Sequence, residues 1–151
     1  EGKSPKTEFV GKSAKYILDK IGITVGDDVK VILMEAKEDH PFVQVELMMP
    51  ILPLVRVPDV DQAIEMAVRV EHGNRHTAMM HSRNVEKLTK MAKLIQTTIF
   101  VKNGPSYAGI GVGGEGYTTF TIAGPTGEGL TSAKSFARRR RCVLVGGMDV
   151  R

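Results

Sequence analysis

Apolar residues recur every three or four positions in three stretches of the chain, as on the buried face of an amphipathic helix. In the first stretch they include Val10 and Ile17, and Gly22 follows as a typical stop. The second stretch begins after Asp59, a residue type that caps helices well, and stops before Gly73. The pattern predicts helices at Thr7–Ile21, Val60–Glu71 and from a cap at Ser82 or Asn84 to about Ile95.

Between these helices lie short apolar or alternating runs that are rich in β-branched residues, as strands require. They predict strands at Val29–Met34, Phe42–Leu47, Leu54–Val57, Ala78–Met80, Thr97–Val101, Tyr117–Ile122 and near Arg141–Val145. Strands that alternate with helices of this length indicate right-handed crossovers. We therefore predict an α/β fold, a mainly parallel sheet flanked by helices, in a single domain over residues 1–151.

Glycine is concentrated in Thr97–Gly129, which holds nine of the sixteen glycines. Each glycine costs conformational entropy on folding, so it is placed where the backbone turns with positive φ or lies close to a neighbour or ligand. Two loops are expected here, at Asn103–Gly116 and Ala123–Gly129, on either side of the strand that ends at Ile122.

Two glycine triplets in the first loop match the dinucleotide-binding pattern G-x-G-x-x-G. They are Gly109, Gly111 and Gly114, and Gly111, Gly113 and Gly116. That motif needs a strand directly before it and a helix at its end. Here Pro105 intervenes, and a strand pattern follows Gly116. A glycine-rich structural corner is therefore favoured over a Rossmann phosphate loop.

A carboxylate stands beside a rigid apolar corner in the stretch Glu46-Leu-Met-Met-Pro50. Pro50 and Pro53 forbid a helix and indicate an extended, kinked path. Glu46 either faces water at a strand end or points into a cleft, where it accepts hydrogen bonds from ligand hydroxyls. Ligands gather beyond the carboxyl ends of parallel strands, so Glu46 and the Asn103–Gly116 loop are predicted to line one cleft.

The composition, 42% hydrophobic and 25% charged, is ordinary for a soluble globular protein. No apolar run is as long as a membrane span, so no membrane is expected as a partner. The single cysteine excludes an internal disulfide and suits the reducing cytoplasm. No Cys/His spacing resembles a zinc site, so no metal is expected. The chain begins at Glu1 instead of methionine, and we expect any targeting segment to lie outside it.

Much of the net charge of +4 comes from the run Arg138–Arg141. Such a run can bind nucleic acid or an anionic cofactor, or it can be a solvated edge or an oligomer contact. No interleaved aromatic residues accompany it, so the second interpretation is favoured and no specific nucleic-acid binding is expected. Steeply salt-dependent affinity for DNA or RNA would indicate the first.

Several segments together resemble the aldehyde dehydrogenase superfamily. They are ELMMPILPLVRV, VEHGNRHTAMMHS, TTIFVKNGPSYAGIGVGGEGYTTFTIAGPTGEGLTSA and RRRRCVLV, which cover Glu46–Val145. The chain is most similar to the second part of the catalytic domain in the CoA-acylating branch. That branch contains the propionaldehyde and acetaldehyde dehydrogenases of bacterial propanediol and ethanolamine utilisation.

The resemblance implies a reaction in which a cysteine thiolate attacks a short-chain aldehyde and hydride passes to NAD. The resulting thioester is transferred to the thiol of CoA. It further implies NAD and coenzyme A as cofactor and co-substrate, a homo-oligomer, and a cytoplasmic location, with a bacterial microcompartment as a specific possibility.

Two side chains gain roles from the resemblance. Glu46 matches the glutamate of the E-x-F-G-P motif, which grips the nicotinamide ribose hydroxyls, although Met49 stands where that motif has glycine. His76, in the G-x-x-His-Thr segment, is similar to a histidine proposed as an acid/base near the thiols. A histidine hydrogen-bonded for structure at the start of a strand is the alternative.

The resemblance also places part of the glycine loop at the substrate. Gly113 and Gly114 match the F-G-G loop, with Val112 in place of phenylalanine. The other residues that it places near the acyl pocket are Pro105, Ser106 and Ile110. Ordinary packing roles remain open for all of them.

The resemblance implies that the nucleophile lies upstream of this chain, and the single cysteine does not match it. Cys142 follows four arginines, which would lower a thiol pKa, yet it lies in the apolar run RCVLV. A structural cysteine in an edge strand that forms an oligomer is the favoured interpretation. The chain is thus interpreted as an enzyme fragment that is inactive alone, with a free-standing oligomerisation or nucleotide-binding module as the alternative.

Overall fold

The computed structural model describes residues 4–114, 122–123, 129–143 and 145–146. The chain divides into two compact units. The first contains the residues up to Arg75 together with Ser82–Gln96, and the second contains His76–His81 and the residues from Thr97 onward. Parallel strand pairs and helices make this an α/β protein, which confirms the predicted class. The single domain over residues 1–151 stays a prediction.

The helices and strands are short. The α-helices are α1 (Ala14–Asp19), α2 (Pro41–Gln44), α3 (Val60–Val70) and α4 (Val85–Ile95). The strands are β1 (Ile32–Glu35), β2 (Ile51–Leu54), β3 (Thr77–Met80), β4 (Ile99–Lys102), β5 (Ile122–Ala123) and β6 (Gly129–Leu130). Turns of 3₁₀ helix lie at Thr7–Phe9, Ser106–Ile110 and Ala133–Phe136.

The strands pair two by two. β1 lies parallel to β2, from Ile32 opposite Ile51 to Glu35 opposite Leu54. β3 lies parallel to β4, from Thr77 opposite Ile99 onward. β5 and β6 form a short antiparallel pair. The pair includes Ala123 and Gly129, the first and last residues of the predicted loop Ala123–Gly129. The parallel pairs confirm the predicted strand direction.

The first predicted helix, Thr7–Ile21, is wrong over its first half. Gly11 has a φ of +71°, which breaks the helical path. The helix begins only after Ser13, whose hydroxyl accepts a hydrogen bond from the Tyr16 N–H at 3.2 Å. It ends as predicted near Gly22, where Ile23 N–H donates to Leu18 O and Gly22 N–H donates to Asp19 O, a Schellman motif.

The predicted strand Phe42–Leu47 is also wrong, since its first residues form α2. Pro41 occupies the first helical position, where its fixed φ and missing N–H cost nothing. The Nδ1 atom of His40 caps the turn by accepting from Phe42 N–H at 3.1 Å. Glu46 therefore does not lie at a strand end, but in the irregular link between α2 and β2.

The two longer helices match the prediction within one residue. The Asp59 carboxylate caps α3 by accepting from Gln62 N–H at 2.9 Å, and this bond lowers the pKa of Asp59. Asn84 caps α4 in the same way, while the hydroxyl of Ser82 accepts from Asn84 N–H. The helices pack against each other and bury Ile64 of α3 and a stripe of α4 consisting of Leu88, Met91 and Ile95.

Pro53 lies within β2, where a proline could have removed a ladder bond. Ile32 N–H donates to Pro50 O at 2.8 Å, and Ala36 N–H donates to Leu54 O at 2.9 Å. These bonds place the even-numbered residues of β2 toward β1, because bonding alternates along a parallel strand. Pro53 faces the opposite edge and costs no bond with β1.

The remaining strand predictions have mixed outcomes. β3 matches Ala78–Met80, whereas β1, β2 and β4 are displaced from their predicted bounds by one to three residues. The predicted strand Tyr117–Ile122 lies outside the described residues except for Ile122. No strand is assigned to Arg141–Val143, where one was expected. Cys142 is exposed there, so the expected structural cysteine is not buried in an apolar strand.

Candidate functional site

Glu46 is held at the protein surface by its neighbours. Leu47, the next residue, is only 7% exposed and anchors the link to the core of the first unit. The Glu46 side chain itself is exposed. Within the described residues, no hydrogen bond or ion pair engages its carboxylate. Both carboxylate oxygens are therefore available to accept hydrogen bonds from a ligand.

The turn after Glu46 has an unusual backbone conformation. Met48 has a φ of +50°, in the left-handed region that side chains rarely adopt. Its carbonyl accepts a hydrogen bond from Gly11 N–H at 2.9 Å, which ties the turn to the segment before α1. The carbonyl of Met49 accepts from Ile51 N–H at 2.8 Å. The position that would favour glycine is thus Met48, not Met49, where the family motif has it.

Two cavities adjoin this turn in the first unit. One, of about 590 Å³, lies between Met48–Pro50 and Gly11–Lys15 and is bordered by Asp27 and Lys30. The other, of about 730 Å³, is largely apolar and is lined by α1, β1, α2 and β2, with Leu47 and Met49 at its wall. Glu46 lines neither cavity. Its carboxylate is consequently placed for contact with a ligand at the surface.

His76 begins the second unit, directly before β3. Its carbonyl accepts a hydrogen bond from Ile99 N–H at 3.1 Å, which fixes the start of β3 against β4. The imidazole is exposed. His81 follows the same strand at its other end and is exposed as well. The two histidines therefore bracket β3, and a proton can reach either ring from solvent.

The glycine-rich loop leaves β4 at Asn103, which has a φ of +54° and donates its N–H to Met80 O at 3.0 Å. Pro105 then precedes the 3₁₀ turn Ser106–Ile110, which the sequence did not predict. Gly111, with a φ of +94°, ends the turn. The N–H of Val112 donates to Tyr107 O at 3.0 Å, so the loop is a hydrogen-bonded structure and not an open strap.

This loop lies back along the strand that it follows. A Cβ atom on Gly109 would collide with the Cγ2 methyl of Ile99 and lie 3.4 Å from Cγ2 of Val101. Ile99 pairs with Thr77, the residue after His76. The loop starts at the carboxyl end of β4 and returns toward the amino end, near which His76 precedes the neighbouring strand β3.

The residues predicted for the acyl pocket form one continuous stretch of this loop. Ser106 and Ile110 are half-buried, and Pro105 and Val112 are exposed. Gly113 has a φ of +69° with open space around it. A Cβ on the next glycine, Gly114, would lie 2.7 Å from the carbonyl oxygen of Ala108.

Glu46 belongs to the first unit, and His76 and the loop belong to the second. The structure thus brings His76 and the loop onto one strand pair, while the cleft predicted between Glu46 and the loop stays a prediction.

Sequence reasoning missed two residues, Met48 in the first unit and Gly109 in the second. Glycine enrichment marked the whole loop, but it did not single out Gly109 as the glycine in contact with β4. The left-handed turn at Met48 was also missed. Its signal was the alignment of Glu46-x-x-x-Pro50 with a motif that contains glycine, which indicates that one residue there needs a positive φ.

The described part of the chain groups no three His, Cys, Asp or Glu side chains that could hold a metal ion. Among the same residues, no helix has the length and apolar character needed to cross a membrane.

Residues 29–128 match the aldehyde dehydrogenase family. The match covers more than half of the chain, which therefore belongs to this family. Among curated relatives, the propanal dehydrogenase (CoA-propanoylating) of Salmonella typhimurium is 54% identical over 152 residues, which cover 100% of this chain and 32% of the relative.

Solved structures give the same picture. A Rhodopseudomonas palustris propionaldehyde dehydrogenase with bound propionyl-CoA is 73% identical with a TM-score of 0.87, over 94% of this chain and 31% of that one. The propionaldehyde dehydrogenase of the Clostridium phytofermentans fucose utilisation bacterial microcompartment is 55% identical with a TM-score of 0.84, over 92% and 32%. The predicted resemblance to CoA-acylating enzymes is confirmed, and the chain spans about a third of their length.

Proposed function

We propose that this chain is one part of a CoA-acylating aldehyde dehydrogenase. The whole enzyme converts a short-chain aldehyde, NAD and CoA to acyl-CoA and NADH. The nucleophilic cysteine comes from sequence that this chain does not contain, since Cys142, the single cysteine here, does not match the family nucleophile. Similarity to relatives that carry out CoA-propanoylation supports the reaction class. The 151 residues alone are inactive.

Glu46 binds the nicotinamide ribose in this proposal. A ribose offers two neighbouring hydroxyl donors, and a carboxylate with two free oxygens is a suitable acceptor. The exposed Glu46 side chain, unengaged within the described residues, fits that requirement. Leu47 and the Met48–Gly11 hydrogen bond hold the backbone on which the carboxylate stands.

His76 serves as the acid/base for thiol chemistry. An imidazole can accept a proton from a thiol and return it near neutral pH, provided that it is accessible to the reacting groups. The exposed ring of His76 meets this requirement. The hydrogen bond from Ile99 N–H to the His76 carbonyl holds the backbone that carries the ring.

The loop residues Ser106, Ile110 and Val112 form the wall that faces the acyl chain. Ile110 and Val112 provide apolar surface for a short alkyl group, and the exposed backbone of Gly113 and Gly114 leaves room beside it. When bound, NAD takes up the hydride and CoA takes up the acyl group. The residues of this chain orient the ribose, hold a proton at the imidazole and exclude water from the acyl group.

One observation carries the proposal: the glycine loop returns along β4 to the level of His76. The observation supports the proposal because Ile99, which the loop contacts, also donates its N–H to the carbonyl of His76, so the backbones of both features lie near one end of the β3–β4 pair.

The proposal is tested with the chain alone and with a chimera. The chimera replaces the matching third of the Rhodopseudomonas palustris enzyme, which is 73% identical over the aligned part. NADH formation from propanal, NAD and CoA is measured for both. We expect an active chimera and an inactive isolated chain. Activity of the isolated chain would refute its status as an incomplete part, and a folded but inactive chimera would refute the proposed reaction.

We further propose that the enzyme is a cytoplasmic homo-oligomer that is associated with a bacterial microcompartment. The support is the Clostridium phytofermentans enzyme, which comes from such a compartment. Light scattering of the chimera and of the parent enzyme measures the oligomeric state. Co-sedimentation with purified compartment shells tests the association, and an exclusively free enzyme would contradict it.

A further inference from the structure

We infer that Gly109 is a positioning residue: its lack of a side chain lets the turn Ser106–Ile110 lie directly on β4 and so sets the shape of the proposed acyl wall. This inference rests on the proposed function. Nothing in the reaction requires a functional group at position 109, so the role depends on space alone.

The contact involves two buried strand residues. Ile99 is 5% exposed and Val101 is 8% exposed, so neither side chain has free space to move into. A Cβ on Gly109 would overlap the Cγ2 methyl of Ile99, which branches from Cβ and is close to the backbone. A β-branched side chain is restricted at χ1, and it cannot swing that methyl aside cheaply.

The loop is also held from its other side. The N–H of Ala108 donates to Pro105 O at 3.0 Å, and the N–H of Gly111 donates to Ala108 O at 3.3 Å. Gly114 then lies over Ala108, whose carbonyl oxygen would be 2.7 Å from an added Cβ. The backbone around Ala108 thus lies between β4 on one side and Gly114 on the other. Gly109 makes the contact with β4, and Gly114 makes the contact with Ala108.

A side chain at position 109 has to lift the turn off β4. Ile110 follows directly, and Val112 moves with the turn because its N–H is bonded to Tyr107 O. These two residues form the apolar part of the proposed wall, whereas His76 is fixed by its own backbone bond with Ile99. Lifting the turn should therefore change the fit of the aldehyde more than the acid/base chemistry.

The matched control is Gly104, in the same loop. A Cβ there would meet its nearest atom, Cγ1 of Val101, at 3.4 Å, which is an ordinary contact. A rescue is also available, since Ile99→Leu keeps a side chain of the same size but removes the branch that carries Cγ2. The variants are therefore Gly109→Ala, Gly104→Ala and the double variant Gly109→Ala/Ile99→Leu, all made in the active chimera.

For Gly109→Ala we expect KM for propanal to rise about tenfold, with kcat within about twofold of the parent value. Gly104→Ala should leave both unchanged, and the double variant should recover most of KM. An unchanged KM, a loss in kcat alone, or no recovery in the double variant would overturn the inference. If Gly109→Ala fails to fold, the double variant decides: a folded enzyme with near-parent KM supports the clash with Ile99, and renewed failure overturns it.

A second measurement does not depend on activity. In the 151-residue chain, Gly109→Ala should speed amide hydrogen exchange at Gly111 and Val112, whose N–H groups close the turn. Gly104→Ala should not. An inactive parent chimera together with this exchange difference would refute the proposed function and keep the loop geometry. Equal exchange in both variants would refute the inference itself.

Discussion

The Asp61 carboxylate of α3 lies 2.6 Å from the Nζ atom of Lys87 in α4. A second α4 lysine, Lys90, lies 2.8 Å from the same carboxylate. These three residues tie the two longest helices together at their exposed edges. Hydrogen bonds from Lys87, and then from Lys90, lower the pKa of Asp61 to about 2.

We expect Asp61→Asn to lower the melting temperature of the chain by a few degrees at low salt. The effect is limited because the partners are solvated and exposed pairs contribute little. The lowered pKa of Asp61 sets the direction of the pH dependence of stability. The stabilisation is present above the ordinary pKa of 3.8 and is lost as the pH falls through about 2. Thermal melts of both proteins between pH 7 and pH 2 should therefore converge at the acid end.

Glu86→Gln is the control, because Glu86 holds the equivalent position in the first turn of α4 without a lysine partner in the described part of the chain. At pH 7, Glu86→Gln should lower the melting temperature less than Asp61→Asn does. A gap between Asp61→Asn and the parent protein that stays constant down to pH 2 would contradict the assignment to this carboxylate.

Met48→Gly should stabilise the chain by about 0.5–1 kcal/mol. A non-glycine residue in the left-handed region costs about 1–2 kcal/mol, and part of that gain is offset by the greater freedom of glycine in the unfolded chain. Little burial is lost, since Met48 is 66% exposed. Urea unfolding measures the change. Met49→Gly, at the position where the family motif has glycine, should destabilise; the reverse order would show that Met48 does not carry the strain.

Glu46→Gln should raise KM for NAD in the chimera by about tenfold, because the ribose hydroxyls lose a charged acceptor. The melting temperature should stay unchanged, since the carboxylate is exposed and unengaged among the described residues. Glu35→Gln, which removes an exposed carboxylate paired with Arg56 at 2.8 Å, is the control for charge alone. Equal KM values for the two variants would count against a ribose contact at Glu46.

His76→Asn should separate the two chemical stages. If His76 acts on the thiol of CoA, the first turnover of NADH persists as a burst while the steady-state rate falls at least a hundredfold. If it activates the nucleophile, the burst disappears as well. Stopped-flow absorbance of NADH distinguishes these results. His81→Asn alters the exposed histidine at the other end of β3 and should change neither stage; similar losses in both variants would point to a structural role.

Local signals were sufficient wherever the residues that form an element also mark its limits. Asp59 and Asn84 cap α3 and α4 through bonds to residues three positions on, so the sequence contains both the start and the pattern. The same kind of signal was overlooked at Ser13 and at His40-Pro41. There the run Phe42–Leu47 alternates like a strand, but the proline after a capping residue starts a helix.

Other features depend on distant partners and could not be deduced in this way. The bounds of β1, β2 and β4 moved because register with the neighbouring strand decides where pairing begins. For the candidate site, the glycine count indicated close backbone contacts, but only the position of the Ile99 methyl shows that Gly109 is the one that makes this contact. The roles proposed for Glu46 and His76 rest on the resemblance to the family, because spacing alone did not indicate them.

The proline in β2 also affects the tendency of this chain to aggregate during expression. Leu52 and Leu54 of β2 are about half exposed, and exposed apolar residues at a strand edge favour edge-to-edge aggregation. On the edge that faces away from β1, Pro53 has no N–H to offer, so an incoming strand would leave a carbonyl without a donor. The ring of Pro53 thereby opposes the addition of a further strand at this edge of β2.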